Sequence, residues 1–244
     1  MRKKRTGKSY LAYTDNETAL VVEAYKKLRA NLLFSLAPIQ EKIIIVSSPE
    51  PNVGKSTVCG NLAVMMAQTG SKVLLIDADL RKPTLHRMFQ VLKGDGLTRY
   101  LINLCDWQEC VKKQVAPGVD LMPSGPIPPN PSELLGSSRM ANLLEIVSQQ
   151  YDYVFVDMPP VNVVTDALVL AARAAGVVLL SRYNSTTYDD MREAVASIQN
   201  VHGNLLGVIV NDYRYEGEEK QHQYYRKRYG YKYVYTSKQE SLKD

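Results

Sequence analysis

Short apolar runs alternate along the chain with longer segments that have the periodicity of helices. The apolar runs predict strands at 43–47, 73–77, 119–122, 153–157, 177–181 and 206–211. Most of these runs are apolar throughout, which is typical of parallel strands covered by helices on both faces. The segments between them predict helices at 55–69, 132–150, 166–175 and 187–201. This alternation predicts an α/β fold, a doubly wound domain with a mainly parallel sheet.

Local signals mark the ends of two of these helices. Gly70 follows the first helix at the position where a glycine commonly ends one. At the start of 132–150, Asn130 is suited to cap the helix, Pro131 to occupy its first turn and Glu133 to complete a capping box. We therefore expect one continuous helix from this point to residue 150.

Two flanking segments lie outside the alternating pattern. Residues 17–34 predict an amphipathic helix that carries Val21, Ala24, Leu28 and Leu32 on one stripe. Residues 212–244 are polar and charged without an apolar period, which is typical of a mobile tail. The sequence thus predicts a basic, flexible N-terminus at 1–16, one domain at 17–211 and a tail at 212–244.

The charge of the chain is concentrated at its start. The net charge is +5, and residues 1–8 carry five basic side chains and no acid. The remainder is formally neutral, so we expect no nucleic-acid-binding face. The basic segment is suited either to an anionic membrane surface or to a solvated terminus. No apolar run approaches the roughly 20 residues of a transmembrane helix, and none forms a secretory signal.

The cysteine content fits a reducing compartment. The chain has three cysteines, an odd number without metal-ligand spacing. This pattern predicts no disulfide framework and indicates a cytoplasmic protein.

The strongest chemical signal is a phosphate-binding loop between the first strand and the helix that follows it. Residues 47–57 read Ser-Ser-Pro-Glu-Pro-Asn-Val-Gly-Lys-Ser-Thr, which resembles a Walker A loop in the required strand–loop–helix context. Backbone N–H groups of such a loop bind phosphate oxygens, the lysine binds the β- and γ-phosphates, and the serine hydroxyl binds Mg²⁺. The predicted nucleotide-binding residues are Pro51, Asn52, Val53, Gly54, Lys55, Ser56 and Thr57. Two positions depart from the general pattern, with Pro49 and Asn52 where glycines are common.

Acidic residues end two of the predicted strands. The strand at 73–77 ends in Asp77, with Asp79 and Arg81 following, and the strand at 153–157 ends in Asp157. Ligands of open α/β sheets bind at the carboxyl ends of the strands. Carboxylates beside the Ser56 hydroxyl would make an oxygen-rich site for Mg²⁺. Arg81 is suited equally to steadying phosphate charge and to pairing with a nearby acid.

These motifs together resemble the bacterial tyrosine kinases of capsule and exopolysaccharide synthesis, P-loop proteins related to the MinD and ParA ATPases. The resemblance covers nearly the whole chain. It rests on the loop at 48–57, the Asp-x-Asp-x-Arg motif at 77–81, the Gly-Pro-Ile-Pro-Pro-Asn-Pro-Ser-Glu-Leu-Leu segment at 125–135 and Asp-Met-Pro-Pro at 157–160. It implies an ATP- and Mg²⁺-dependent kinase that phosphorylates tyrosines in its own C-terminal tail, in trans between subunits.

The resemblance also implies roles for individual residues. Asp77 is expected to act as the base, and Ser56, Asp79 and Asp157 to hold Mg²⁺. Lys55 and Arg81 complete the expected catalytic set, and Asn211, at the end of the last strand, is our expectation for an adenine contact.

The N-terminal helix resembles the segment through which the family forms rings. That segment has a Glu-x-x-Arg-x-x-Arg pattern, matched here by Glu23, Lys26 and Arg29 with lysine in place of the first arginine. Lysine keeps the charge but lacks the planar fork of arginine. Pairing of Glu23 with Lys26 or Lys27 inside the helix is the simpler alternative.

The tail is unusually rich in tyrosine. Of 16 tyrosines in the chain, eight follow residue 210. The segment is too polar to bury them, so an aromatic binding segment and a cluster of phospho-acceptors are the two interpretations. The phosphate-binding site upstream favours the second. The expected acceptors are Tyr224, Tyr225, Tyr229, Tyr231, Tyr233 and Tyr235.

Three other functions compete with the kinase. A P-loop GTPase would need an Asn-Lys-x-Asp motif, which the sequence lacks. A MinD- or ParA-like ATPase acting as a switch would carry a lysine at the position of Glu50, and a non-catalytic adaptor would not need all the catalytic residues. We also expect other protein substrates and, from the resemblance, a separate transmembrane activator that brings this cytoplasmic chain to the inner face of the membrane.

Overall fold

The computed structural model describes residues 19–40 and 42–213. The basic N-terminal residues and the six expected acceptor tyrosines lie outside these ranges. Within them, seven strands form one sheet, in the order β3-β4-β2-β5-β1-β6-β7. The strands are β1 (Ile43–Ser47), β2 (Val73–Asp77), β3 (Lys112–Ala116), β4 (Val119–Met122), β5 (Tyr153–Asp157), β6 (Gly176–Arg182) and β7 (Leu205–Asn211).

Nearly all strand pairs in the sheet are parallel. β1 lies between β5 and β6, β2 between β4 and β5, and β7 pairs with β6, all in parallel. Only β3 is antiparallel, and it forms a hairpin with β4. The register places Asp77 opposite Asp157 at the carboxyl ends of β2 and β5. The predicted α/β fold with a mainly parallel sheet is confirmed.

The helices cover both faces of the sheet. They are α1 (Ala19–Leu36), α2 (Lys55–Ala67), α3 (Leu85–Met88), α4 (Leu97–Leu101), α5 (Trp107–Cys110), α6 (Pro131–Gly136), α7 (Ser138–Gln150), α8 (Asp166–Ala171) and α9 (Tyr188–Asn200). Alternate residues of each central strand enter opposite cores. In β1, Ile43 and Ile45 face the core with α7, α8 and α9, and Ile44 and Val46 face the core with α1 and α2. The compact unit ends at Asn211.

The predicted helix at 132–150 is in fact two helices. Ser137 adopts extended backbone between α6 and α7, and its hydroxyl accepts a hydrogen bond from the backbone N–H of Met140. The predicted capping box at the start of α6 is also wrong. Asn130 makes no side-chain cap, because its side-chain amide donates to the Glu133 carboxylate at 2.6 Å. Pro131 does occupy the first turn.

The buried stripe of α1 differs from the predicted one at its N-terminal end. Ala24 is exposed, and Tyr25 packs against the core in its place, followed by Leu28, Leu32 and Leu36. The larger aromatic side chain buries more apolar surface than alanine would, so Tyr25, and not Ala24, lies on the buried face of the helix. Within residues 19–40 and 42–213, no helix has the length and apolar character needed to cross a membrane.

Candidate active site

The phosphate-binding loop connects β1 directly to α2, as the sequence predicts. Gly54 stands at the N-cap of α2 in left-handed conformation, with φ of 94°. Asn52 also has positive φ, at 64°, and asparagine tolerates this conformation better than most residues. The Lys55 side chain, in the first turn of α2, is buried, and Pro51 and Asn52 are exposed. Val53 is buried, and Ser56 and Thr57 are half-buried.

Asn211 holds this loop from the end of β7. Its side-chain amide donates to the Val53 carbonyl at 2.7 Å, and its own carbonyl accepts from the Tyr183 backbone N–H at 2.9 Å. A Cβ atom at Gly54 would stand 2.4 Å from the Asn211 amide nitrogen. The structure therefore places Asn211 against the phosphate loop, and its expected contact with adenine stays a prediction.

Glu50 anchors the other side of the loop. Its carboxylate accepts hydrogen bonds from the hydroxyls of Ser185 at 3.1 Å and Thr186 at 2.8 Å, in the loop between β6 and α9. The Ser48 hydroxyl donates to the Glu50 carbonyl at 2.7 Å. Sequence reasoning considered Glu50 only as a replaced lysine and missed this anchoring, since both hydroxyl donors are more than 130 residues away.

Three aspartates gather at the carboxyl ends of β2 and β5. Asp77 and Asp157 are fully buried, and Asp79 is nearly so. The Asp77 Oδ2 atom accepts from the backbone N–H groups of Thr84 at 3.1 Å and Leu85 at 3.0 Å, and Asp79 accepts from that of Lys82 at 2.9 Å. The Asp77 Oδ1 atom and both Asp157 oxygens have no hydrogen-bond partner among the described residues.

Burial and mutual repulsion raise the pKa values of two of these acids. Burial raises the pKa of Asp157 to about 7, against the opposing effects of the Lys55 ammonium and the Ser56 hydroxyl, and the Asp79 charge raises it further. Ser56 makes no well-formed hydrogen bond with this carboxylate. Burial, followed by the Asp157 charge, raises the pKa of Asp77 well above its usual range. Unpaired buried acids with raised pKa values are typical of functional sites.

These oxygens fit a divalent cation that is shared with a substrate. Within the described ranges, no three histidine, cysteine or acidic side chains converge closely enough to hold a metal ion by themselves. Mg²⁺, however, is usually bound by one or two carboxylates together with phosphate oxygens and waters. The unpartnered oxygens of Asp157, beside Ser56 and within the electrostatic reach of Asp79, are suited to that mode of binding.

Arg81 pairs with an acid from another part of the chain. Its guanidinium donates two hydrogen bonds of 3.0 Å to the two oxygens of Asp166, which is fully buried at the start of α8. The Ser132 hydroxyl donates to the same carboxylate at 2.5 Å. Of the two expected roles for Arg81, the structure displays the pairing with a nearby acid. Asp166 and Ser132 were missed, although an aspartate at a predicted helix start is a recognisable signal.

The three residues of the predicted ring-forming motif lie on α1. Glu23 and Lys26 are exposed and form an ion pair of 3.4 Å inside the helix. Arg29 donates to the carbonyl of Met65, in α2 of its own chain, at 2.9 Å. The helix therefore displays the intrahelical pairing considered above, and a role of these residues between subunits stays a prediction.

Comparison with known sequences identifies the family. The family model described as an AAA domain matches residues 41–206. The tyrosine-protein kinase YwqD of Bacillus subtilis is 39% identical over 210 residues, which cover 86% of this chain and 88% of YwqD. EpsB of Ralstonia solanacearum is 38% identical over 215 residues, which cover 86% of this chain. The chain spans only 29% of the length of EpsB.

Comparison with solved structures identifies the same family. The kinase domain of the Escherichia coli tyrosine kinase ETK superposes with a TM-score of 0.83 at 33% identity, covering 88% of this chain and 84% of that domain. The septum site-determining protein MinD of Pyrococcus horikoshii has a TM-score of 0.60 at 21% identity, over 70% of each chain, and shows the fold alone. The fold is that of the P-loop nucleotide-binding proteins, as the sequence predicts.

Proposed function

Because the chain belongs to the bacterial tyrosine-protein kinases, within the wider AAA domain family, we propose that it transfers the γ-phosphoryl group of ATP to tyrosine. The observation that carries this proposal is that the buried Asp77 Oδ1 atom and both Asp157 oxygens, beside a phosphate-binding loop, have no hydrogen-bond partner in the described part of the chain. Buried polar atoms are normally hydrogen-bonded, so buried carboxylate oxygens that destabilise the fold indicate groups retained for a function.

The residues of the loop bind the triphosphate of ATP. Backbone N–H groups of residues 52–57 would donate to the phosphate oxygens, and the Lys55 ammonium would neutralise charge on the β- and γ-phosphates. Ser56, Asp79 and Asp157 hold Mg²⁺, which neutralises phosphate charge when it is bound. The contacts of Val53 and Glu50 to β7 and the β6–α9 loop keep the loop in its phosphate-binding shape.

Asp77 is the group that accepts the proton of the substrate tyrosine. Two backbone N–H groups fix its Oδ2 atom, and its Oδ1 atom remains available. The raised pKa of this carboxyl brings its basicity closer to what proton transfer near neutral pH requires. The tyrosine oxygen then attacks the γ-phosphorus, its proton passes to Asp77, and ADP leaves.

The substrate is the tyrosine-rich tail of another copy of this chain. The eight tyrosines that follow residue 210 provide the acceptors, of which Tyr224, Tyr225, Tyr229, Tyr231, Tyr233 and Tyr235 are our choice. The copies meet in a ring through α1, with Glu23, Lys26 and Arg29 as contributing residues.

The cellular role is regulation of capsule and exopolysaccharide synthesis and export. Support comes from relatives such as the kinase from a cps region of Klebsiella pneumoniae, which is 35% identical over 82% of this chain. A transmembrane activator holds the chain at the inner face of the membrane, with the basic residues at 1–8 contributing attraction to anionic lipids.

Labelling with radioactive ATP and Mg²⁺ tests the activity. Purified protein is expected to gain label on tyrosine, and Lys55→Met and Asp77→Ala are each expected to reduce labelling at least about a hundredfold. The matched control is Lys72→Met. Lys72 lies just before β2, at the amino ends of the strands and away from the phosphate loop, and its ammonium stacks on the Tyr151 ring. Each variant is first checked for native circular dichroism.

The same assay separates the competing functions. Hydrolysis of GTP without phosphotyrosine would support a GTPase. Hydrolysis of ATP without phosphotyrosine, in the presence of the activator's cytoplasmic segment, would support a MinD-like switch. Either result would overturn the proposed kinase.

A further inference from the structure

Two of the three cysteines lie at the short helix α5, Cys105 just before its cap and Cys110 as its last residue, in a part of the chain that the proposed reaction does not use. Asp106 is the N-cap of α5, and Asp106 and Glu109 form a capping box in which the Asp106 N–H donates to the Glu109 carboxylate at 3.1 Å. Cys105 therefore occupies the position before the cap, and Cys110 the fourth position of the helix. In such helix starts, the side chains at these two positions pack against each other as a hydrophobic staple.

The two thiols lie near each other in this staple. Cys105 is near enough to Cys110 to add to the rise in its pKa that burial causes, and Cys105 packs against the same core cluster that contains Cys110. Their environments differ, because Cys110 is fully buried and Cys105 is only half-buried. A staple needs only two apolar side chains, so two cysteines add a redox chemistry that packing does not require.

We propose that Cys105 and Cys110 form a reversible thiol–disulfide couple that hydroperoxides oxidise. The Cys105 thiolate attacks the peroxide oxygen, which releases the alcohol or water and leaves a sulfenic acid on Cys105. The Cys110 sulfur then attacks the Cys105 sulfur and forms the disulfide, and the departing hydroxide takes the Cys110 proton to give water. Two thiols and one hydroperoxide thus give one disulfide, one water and one alcohol or second water. A dithiol returns the couple to its reduced form.

The burial of the two thiols fixes the order of these steps. The half-buried Cys105 is accessible to a small oxidant, and the fully buried Cys110 is not. Burial also raises the pKa of Cys110 to about 12, which keeps it a thiol until the sulfenic acid forms beside it. Cys59, fully buried in α2, serves as an internal control. Disulfides in reducing compartments are usually transient and redox-sensing, and a reversible couple fits that behaviour.

Mass spectrometry of one tryptic peptide tests the couple. Cleavage after Arg99 and Lys112 places both cysteines in a single peptide, residues 100–112. After treatment of the full chain with stoichiometric hydrogen peroxide, this peptide is expected to lose two hydrogen atoms and to resist alkylation until dithiothreitol is added. Cys105→Ser and Cys110→Ser are each expected to abolish the change, and Cys59→Ser to leave it intact.

Equilibration with glutathione distinguishes a built site from chance proximity. The disulfide equilibrium constant is expected to be at least about tenfold larger in the native protein than in urea, a difference of about 30 mV, because the capping box holds the two positions together. An equal constant in both states would overturn the proposal. So would a Cys105 that proceeds to sulfinic acid or to a glutathione adduct beside a free Cys110, or a disulfide that involves Cys59. None of these readouts depends on kinase activity.

Discussion

Two fully buried aspartates of this chain have opposite surroundings, and the contrast defines the site at the residue scale. Asp166 accepts two hydrogen bonds from Arg81 and one from Ser132. Asp157 has no hydrogen-bond partner among the described residues. A buried carboxylate without a partner destabilises the fold when it ionises. Asp166 therefore has the surroundings of a structural residue, and Asp157 those of a group retained for binding.

We expect Asp157→Asn to stabilise the nucleotide-free protein. Because the folded-state pKa of Asp157 is raised to about 7, its ionisation destabilises the fold from about pH 3.9 upward, and fully above about 7. Asparagine removes this effect, by up to roughly 4 kcal/mol at pH 8 and less at pH 5. Urea unfolding in EDTA at pH 8 and at pH 5 measures the free energy of unfolding under both conditions. Asp166→Asn is the matched control and is expected to destabilise by about 1–3 kcal/mol; equal losses in the two variants would contradict the assignment.

Gly54→Ala tests the fit of the phosphate loop. A methyl group there would collide with the Asn211 amide and would also force alanine to a φ of 94°. We expect ATP affinity to fall by more than about tenfold, or roughly 1.4 kcal/mol, as measured by calorimetry.

Gly70→Ala provides the control for this loss. Gly70 has a φ of 89° but no atom within 4 Å of the added methyl group. The Gly70→Ala variant is expected to lose about 1 kcal/mol of stability without a change in ATP affinity. An equal loss of affinity in both variants would show that backbone strain, and not the contact with Asn211, is responsible.

At the scale of elements, the sequence predicted the features that depend on local residue patterns. The mostly apolar strands β1, β2 and β5 and the helices α2 and α9 follow from periodicity, and the acids that end β2 and β5 are visible in the sequence. The strand β3 is half exposed and carries Lys112, Lys113 and Gln114, so no apolar run marks it. The break at Ser137 depends on one residue in extended backbone, which no periodicity reveals. The pairing of Arg81 with Asp166 spans 85 residues and follows only from the assembled sheet.

A polar network holds the β3–β4 hairpin to the start of β5. The nearly buried Asp120 accepts from the Gln114 N–H at 2.9 Å, the Tyr151 hydroxyl at 2.7 Å and the Lys113 ammonium at 3.0 Å. Burial alone would raise the pKa of Asp120, but these hydrogen bonds together lower it. Because the folded-state pKa is lowered, the stabilisation is present above the ordinary aspartate pKa and is lost as the pH falls.

We therefore expect Asp120→Asn to destabilise the domain in a pH-dependent way. The loss in the free energy of unfolding should be about 1–3 kcal/mol at pH 7, and it should shrink as the pH falls below about 3.9. Tyr151→Phe removes the two hydrogen bonds of the hydroxyl, one to Asp120 and one from Lys113, but keeps the Asp120 charge with its other two donors. This variant is therefore expected to lose less stability. Chemical unfolding at pH 7 and at pH 3.5 measures both variants. A loss that is the same at the two pH values would contradict the role of the Asp120 charge.

At the scale of the whole molecule, the chain combines a conventional nucleotide site with an uneven distribution of charge and tyrosine. The net charge of +5 is matched by the basic residues at 1–8, and half of the tyrosines follow residue 210. Family resemblance and site motifs were accessible from the sequence because they are local strings of residues. The anchoring of the loop by Asn211 and Glu50 was not, since it depends on how distant strands meet.

Phosphorylation of the tail is expected to loosen the ring. Each phosphate adds about −1.5 to −2 charges, so six modified tyrosines add roughly −9 to −12. Like charges on neighbouring tails then repel. Light scattering is expected to give a smaller molecular mass for the heavily phosphorylated protein than for the unmodified one. A variant with phenylalanine at the six acceptor positions should keep its mass after incubation with ATP, and identical masses for modified and unmodified wild-type protein would contradict the switch.

Phosphopeptide mass spectrometry on a mixture of two variants tests the central claim most directly. Lys55→Met supplies intact tail tyrosines without an active site, and the six-fold phenylalanine variant supplies an active site without these acceptors. After incubation with ATP and Mg²⁺, we predict phosphotyrosine at positions 224–235 of the Lys55→Met chain in the mixture and none when that chain is incubated alone. Unmodified Lys55→Met tails in the mixture, under conditions where wild-type protein labels itself, would contradict the proposed transfer between subunits.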